Sequence, residues 1–381
     1  MSRVVRNGAP KLQGSQRARA PSLVGGSGIV QIAFVLPGLP NRPVGGYAVV
    51  YEYANQLVAR GHVVRIEHVS YLGGRPALRG LADTASRRLT RRRPSVRWFA
   101  MNDAVELNER LWWSRRIGSN ANIVVATTWR TAEHLGRVRG LHGRPYYLIQ
   151  SYETWSGPTA RIDATWGLPF HRIVIAGWMV ALAKQLGALP VQHIPNAVDV
   201  EAFTMTAAPE TRSADQVAMM WHDDPIKGSR DGVAALRLVH EARPSLQVTM
   251  FSAHRPPPMP PWIHVVHKAN RVQLQEIYNR AAVFISPSHI EGWPLPPSEA
   301  MACGAALLST DIPGVGDYAA DGESAVLVPV GDPQAMAQAL LSLLADEPRR
   351  VRIARHGHEL ITGSFSWATS TDRLESAFSA G

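Results

Sequence analysis

Ser286-Pro287-Ser288-His289-Ile290-Glu291-Gly292-Trp293-Pro294-Leu295-Pro296-Pro297-Ser298-Glu299-Ala300-Met301-Ala302 is the stretch of this 381-residue chain that decides its fold. It leaves an apolar, β-rich run over residues 282–286, turns through Gly and Pro, and enters a short helix predicted over 297–303. Pro297 suits the first turn of that helix, where a missing N–H costs little. Free N–H groups and the positive end of the helix dipole then face the loop, an arrangement that attracts phosphate. Glu291 and Glu299 stand eight positions apart, one in the loop and one in the helix. They are expected to flank a bound anion rather than touch each other, and a carboxylate accepts well from paired sugar hydroxyls.

Outward from this segment the chain alternates strands and helices. Buried strands are predicted over 216–221, 246–251, 263–266, 305–309 and 325–329, with helices over 231–241, 271–280 and 333–344. The N-terminal half shows the same rhythm. A strand over 29–36 runs into a Gly/Pro-rich loop ending in Gly45-Gly46; Val49, Val50, Tyr53, Leu57 and Val58 then recur at helical spacing up to Gly61, before a strand over 63–66. Further strands are expected at 123–126, 146–149 and 172–176, and residues 75–120 yield no clear assignment. A boundary falls in Ile194-Pro195-Asn196-Ala197-Val198-Asp199, followed by a polar stretch to Asp215. The fold class is therefore α/β, with two Rossmann-like domains facing across a cleft, because parallel sheets bind ligands at the carboxyl ends of their strands. The expected divisions are a mobile basic tail over 1–28, domains over 29–196 and 197–360, and a C-terminal helix within 361–381 packing back on the first domain.

Composition narrows the classes. Hydrophobic residues make up 45% and charged residues 18%, which fits a globular rather than a disordered chain. No run approaches the roughly 20 apolar residues of a membrane-spanning helix, and the N-terminus lacks the apolar centre of a signal peptide. The expected location is the cytoplasm. The single cysteine, Cys303, sits in an apolar run and reads as a buried, inert thiol. The net charge of +10 implies anionic partners. Its densest cluster is Arg87, Arg88, Arg91, Arg92, Arg93 and Arg97. A solvated arginine-rich loop is the simpler explanation; the sharper one is a patch docking on anionic lipid at the inner membrane face, or on a phosphorylated acceptor. No zinc-ligand spacing or aromatic-basic RNA motif accompanies it, so no nucleic-acid partner is expected. The 14 histidines form no HExxH pair and no Cys/His cluster, so neither a protein-held metal nor a cofactor is expected.

With its strand–loop–helix context, EGWPLPPSEAMACG resembles the donor-site signature, Glu-x7-Glu, of GT-B glycosyltransferases of family GT4. Supporting matches are GHVV from Gly61, IPNAVD from Ile194, Lys227-Gly228, the GDPQAMAQAL helix start at Gly331 and FSW at Phe365. The resemblance covers nearly everything from residue 29 onward and is densest between 280 and 335. It implies a retaining hexosyltransferase that moves a hexose or deoxyhexose from a nucleotide-diphospho-sugar to a hydroxyl of a glycan, glycolipid or natural product. The first domain would serve the acceptor and the second the donor. Glu291 would lie beside the donor sugar and Glu299 would hold the ribose hydroxyls. Backbone amides around Gly292, Trp293 and Leu295 would bind the diphosphate, with Lys227 supplying charge. Gly45 and Gly46 would let backbone approach the phosphates. As the glycosidic bond breaks the leaving diphosphate gains charge, so Lys227 and a helix mouth aimed there favour the transition state.

Three departures stand out. Relatives often carry an arginine upstream of the Lys-Gly pair, where this chain reads Trp221-His222-Asp223-Asp224-Pro225-Ile226; His222 is the candidate substitute, and two acids near a phosphate are unexpected. Pro294 replaces a common glycine and removes one N–H donor. Thr127-Thr128-Trp129 stands where many relatives place a histidine near the donor sugar. Thr128, Trp129, Gln150, Tyr152 and Glu153 are acceptor-side candidates, although an ordinary amphipathic loop explains residues 150–155 equally well. Gly314-Val315-Gly316 lacks the rest of a dinucleotide fingerprint and reads as a turn. The rivals are a glycosidase using Glu291 and Glu299, a nucleotide-sugar epimerase of the same architecture, and a non-catalytic binder of anionic ligands.

Overall fold

The computed structural model describes residues 28–70, 72, 94–114, 116–138 and 140–380. The predicted basic tail and Arg87, Arg88, Arg91, Arg92 and Arg93 lie outside them, apart from Gly28; Arg97 is described and exposed. In the first half, β1 (Gln31–Pro37), β2 (Val63–Ser70), β3 (Glu106–Leu111), β4 (Ile123–Ala126), β5 (Arg144–Ile149), β6 (His171–Val174) and β7 (Val191–His193) alternate with α1 (Gly45–Ala59), α2 (Trp129–Gly136), α3 (Thr159–Trp166) and α4 (Gly177–Gln185). In the second half, β8 (Gln216–Met220), β9 (Gln247–Ser252), β10 (Ile263–His267), β11 (Val283–Ser286), β12 (Ala306–Thr310) and β13 (Ala325–Val328) alternate with α5 (Ser229–Ala242), α6 (Arg271–Arg280), α7 (Leu295–Ala302) and α8 (Pro333–Ala345). Two helices close the chain, α9 (Glu347–Ser364) and α10 (Trp367–Ala380).

Both sheets are parallel throughout, in the orders β3-β2-β1-β4-β5-β6-β7 and β10-β9-β8-β11-β12-β13. Each starts at its middle, grows to one edge, then jumps back to grow the other way. Two crevices result, one between β1 and β4 and one between β8 and β11, where ligands of open α/β sheets bind. The central strands are buried on both faces, as Ile32, Ala33, Phe34, Val35 and Leu36 show in β1, so they read as continuous apolar runs. The expected two-sheet α/β fold is thus observed. The strands absent from the sequence reading are the two edges of the first sheet. β3 (ELNERL) is mostly polar and β7 has only three residues, so neither carries an apolar run.

The helix after the deciding segment begins at Leu295, two residues before the predicted start at Pro297. Pro294 is its N-cap, and Pro296 and Pro297 occupy its second and third positions. All lie where a backbone N–H has no partner within the helix, so three prolines are accommodated at no hydrogen-bond cost. At the other end of the chain, the polypeptide crosses back at Phe365, whose carbonyl accepts from Val198 N–H at 2.9 Å. α10 then lies on the N-terminal sheet. Trp367 packs edge-on against Tyr53, Tyr146 Oη donates to the Ala377 carbonyl at 3.0 Å, and Arg60 pairs with Asp372 at 2.6 Å.

Arg212 ties the segment entering the second domain to that domain's interior. Its guanidinium is buried and donates to the carbonyls of Ala207, Tyr278, Ala281 and Cys303. Arg212→Leu would fill the space and satisfy none of them. At roughly 1–3 kcal/mol for each stranded buried acceptor, partly relieved by relaxation, this variant is expected to lose about 3 kcal/mol. In thermal unfolding the midpoint should fall by roughly 6–12 °C.

Candidate functional site

A cavity of about 610 Å³ lies between the two sheets at the carboxyl ends of their strands. Its walls come from the segments following β1, β4 and β5 on one side, and β8, β9, β10 and β11 on the other. Both crevices therefore open into one space.

The second domain contributes the charged centre. After β8, Asp224 accepts from Ile226 N–H at 3.1 Å and so caps the short 3-10 turn Pro225–Lys227. Gly228 follows with φ +58°, and a Cβ there would meet the Pro287 carbonyl oxygen at 1.9 Å, so only glycine lets this turn lie against the loop after β11. Lys227 is thereby aimed at Glu291, and its Nζ stands 2.7 Å from each carboxylate oxygen. Ser288 Oγ adds a third hydrogen bond, to Oε1, at 3.0 Å. Gly314, in the predicted turn, packs so tightly on the Glu291 backbone that a Cβ would come within 2.5 Å of its oxygen.

Glu299 occupies a different place. It emerges one turn into α7, half-buried at the cavity wall, and its Oε2 accepts from Tyr278 Oη at 3.0 Å. Burial pushes its carboxyl up to about 7; the Tyr278 hydroxyl and Arg271 only partly oppose that. The two glutamates thus line one cavity with separate partners and no contact between them, as their spacing predicts.

The acids that were unexpected near a phosphate have local tasks. Asp224 is the turn cap, and Asp223 accepts from Trp221 Nε1 at 3.0 Å. Burial and the neighbouring Lys227 and His254 lower the pKa of His222, and its Nδ1 accepts from Asp224 N–H at 3.0 Å. His222 lines the cavity, and with Nδ1 accepting it is Nε2 of the ring that is left to donate toward a ligand. Trp293 is buried, edge-on to Phe365, and Tyr318 Oη donates to the Pro294 carbonyl at 3.2 Å. Pro294 and Leu295 line the cavity. Of the helix-mouth amides, Leu295 N–H remains between prolines that have none.

In the first domain, Gly45 and Gly46 open α1 and line the cavity. Gly45 has no atom within 4 Å of where a Cβ would stand, so its missing side chain leaves room inside the cleft. Thr128, Gln150 and Glu153 also line it. Glu153 accepts from Trp129 N–H at 2.9 Å, and burial raises its carboxyl to about 7 against that bond and Arg130. Trp129 and Tyr152 do not line it. Trp129 is buried under Gly157, with Nε1 donating to Ser156 Oγ at 2.8 Å, and Tyr152 donates to Asp163 at 2.7 Å. Both rings turn toward α3 and brace the loop that carries Gln150 and Glu153.

Tyr47, Trp98, Trp155, Arg42 and His254 line the cavity without having been singled out in the sequence. Tyr47 sits in the first turn of α1, where only adjacency to Gly45-Gly46 could have flagged it, and the other four lie in loops and a short 3-10 turn with no periodicity. The domains also touch directly here. Gly292 backs onto the Gln150 carbonyl, where a Cβ would stand 1.9 Å away, and Trp178 Nε1 donates to the Gly292 carbonyl at 3.1 Å. Asp317 of the second domain accepts from Gly177 N–H at 3.0 and 3.1 Å, capping α4 of the first. Among the described residues no group of three His, Cys, Asp or Glu side chains is placed to hold a metal. Cys303 is buried and its thiol pushed up to about 12 by burial, consistent with the inert thiol expected.

Residues 261–360 match the family described as Glycosyl transferases group 1. Among curated relatives, the alpha-maltose-1-phosphate synthase of Mycolicibacterium smegmatis is 35% identical over 229 residues, covering 57% of this chain and 50% of that one. The glycogen synthase of Mycobacterium tuberculosis is 25% identical over 196 residues, covering 48% and 47%. The chain spans about half the length of these curated relatives. Among solved structures, HepE of Anabaena in complex with UDP-glucose superposes with a TM-score of 0.71 over 92% of this chain and all of that one, at 12% identity. At that identity the likeness speaks for fold alone. Taken with the two parallel sheets, it shows that the chain has the two-domain GT-B fold, and residues 261–360 within it are similar to the group 1 glycosyltransferases.

Proposed function

We propose that the protein transfers a hexose or deoxyhexose from a nucleotide-diphospho-sugar to a hydroxyl of a glycan, glycolipid or natural product, with retention at the anomeric carbon. The observation that carries this reading is Lys227 held by both oxygens of Glu291 inside an interdomain cavity, with Glu299 on the same wall. A bound donor would place its ribose hydroxyls on Glu299, its sugar against Glu291 and its diphosphate by Lys227. The bond from the anomeric carbon to the β-phosphate oxygen breaks, the acceptor oxygen takes its place on the same face, and the acceptor proton leaves with the product diphosphate. Lys227 favours this step because negative charge grows on the leaving oxygen. The UDP-glucose complex of HepE and the sugar-handling relatives support a nucleotide-sugar donor by analogy. No metal or cofactor is part of the proposal. Among the described residues no helix is long and apolar enough to cross a membrane. The protein is proposed to act in the cytoplasm, in reach of peripheral contact with an anionic membrane.

Thermal-shift titration with UDP, GDP, ADP and dTDP tests the donor reading, since a ligand at 100 times its Kd adds about 2.7 kcal/mol to the folded state. One nucleotide should raise the midpoint and Glu299→Gln should weaken its effect. Stabilisation by none, or stabilisation unchanged in that variant, would sink the assignment. Once a donor is found, Lys227→Ala should lower kcat roughly 100-fold, about 3 kcal/mol. NMR of the labelled product should show the donor's anomeric configuration; inversion would overturn the stereochemistry.

Glu299 also predicts a pH signature. Its carboxyl lies near 4.5 unfolded and about 7 folded, so folding favours the protonated form. The ligand-free protein thus bears the full cost of the buried charge above pH 7, and that cost fades as pH falls toward 4.5. Glu299→Gln removes it. The ligand-free variant should be the more stable above pH 7 by at most about 3 kcal/mol, with the difference vanishing near pH 4.5. An equal difference at pH 5 and pH 8 in denaturant titrations would refute this account.

A further inference from the structure

The phosphate corner of the cavity is short of positive charge. Pro294, Pro296 and Pro297 remove three N–H donors from the mouth of α7. Lys227, on the turn after β8, is held by both oxygens of Glu291. His222 accepts a hydrogen bond and is shifted toward its neutral form, and Asp224 adds a carboxylate to the wall. Lys268 follows β10, the outer strand of the second sheet, two strands away from β8. A nucleotide sugar brings two ionised phosphates, and a third charge develops as it reacts. The second domain alone meets that demand with one shared ammonium.

Arg42 is the remaining cation on the cavity wall. It belongs to the first domain, in the loop between β1 and the Gly45-Gly46 start of α1. Its side chain spans the cleft, with Nη1 3.5 Å from Nδ1 of His254 beyond β9. That ring is also 3.5 Å from Asp223 and lies edge-on to His222 at 5.2 Å. Among the described residues Arg42 has no carboxylate partner. A guanidinium spent on a structural role would ordinarily meet a carboxylate or several carbonyls; this one ends beside an imidazole, exposed, in a space bounded by both domains.

We propose that Arg42 is a cross-domain phosphate-binding arm, gripping the diphosphate of the donor from the N-terminal side and supplying the charge that the α7 mouth does not. The planar fork of arginine suits two phosphate oxygens at once, which a lysine cannot match. The assignment rests on the donor being a nucleotide diphosphate. Because the arm and Lys227 belong to different domains, phosphate bound between them also draws the domains together.

The test uses the full chain and whichever of UDP, GDP, ADP and dTDP stabilises the wild-type protein most. Arg42→Ala should weaken that diphosphate ten- to thirtyfold by calorimetry, with a shallower loss of affinity as salt rises. Binding of the matching nucleoside, read by saturation-transfer NMR, should be unchanged, and Arg42→Lys should recover part of the loss. Weakening of less than fivefold in Arg42→Ala overturns the proposal. So does an equal loss of nucleoside binding, which would mark a structural role. A wild-type protein that binds none of the four overturns the donor reading itself, and this proposal with it.

Discussion

The ion pair between Lys227 and Glu291 is the contact around which the cleft is organised. It joins the turn after β8 to the loop after β11, the two segments flanking the switch point of the second sheet. Its geometry depends on features that carry no charge: the left-handed Gly228 pressed on Pro287, the Asp224 cap, and Gly314 beneath the Glu291 backbone. A half-buried pair of this kind adds little net stability, because each ion gives up water to form it. Its effect is positional. The ammonium already faces the carboxylate that would stand beside the sugar, so a diphosphate arriving there meets a cation whose side chain is ordered in advance.

The mouth of α7 shows how local folding rules and ligand chemistry compete. Helix physics tolerates proline throughout the first turn, since those N–H groups have no intrahelical acceptors. The same groups are what an anion would bind. With Pro294, Pro296 and Pro297 in place the helix forms readily, and its mouth has fewer donors to give. The dipole remains, but a dipole without oriented N–H groups is a weaker partner for phosphate than a complete set. Charge from elsewhere in the cleft, on Lys227 and Lys268 of the second domain and Arg42 of the first, then matters more.

The domains are coupled through backbone as much as through side chains. Gly292 lies against the Gln150 carbonyl while its own carbonyl is held by Trp178 of the first domain. Asp317 caps α4 across the interface and approaches His193 at 3.2 Å. The loop carrying Glu291 is therefore positioned partly by the opposite domain. Movement of one domain relative to the other would shift Gly292, and with it the groups on either side. α10, folded back on α1, gives the chain a second crossing between the halves and restrains how they can turn.

The strand–helix alternation, the two sheets and the identity of the two glutamates were legible in the chain because each rests on local pattern. Central parallel strands are apolar along their length, and Glu-x7-Glu between a strand and a helix needs no distant residue to be recognised. The edge strands β3 and β7 were not legible, because an edge needs little burial and so leaves little trace in composition. The roles of Arg42, Tyr47, Trp98, Trp155 and His254 were hidden for another reason: they are brought together from loops, a 3-10 turn and the first turn of α1, separated by as many as 212 positions. Trp129 and Tyr152 show the converse, since proximity in sequence to the cleft says nothing about which way a ring turns once α3 is packed beside it. Sequence alone determined the central strands, the helices between them and the placing of two acids eight positions apart between a strand and a helix, through propensity and spacing. Which groups share the cavity, which carboxylate is paired with a cation and which has its pKa raised by burial, was decided by packing, because burial and the distance between charges exist only once the two domains face each other.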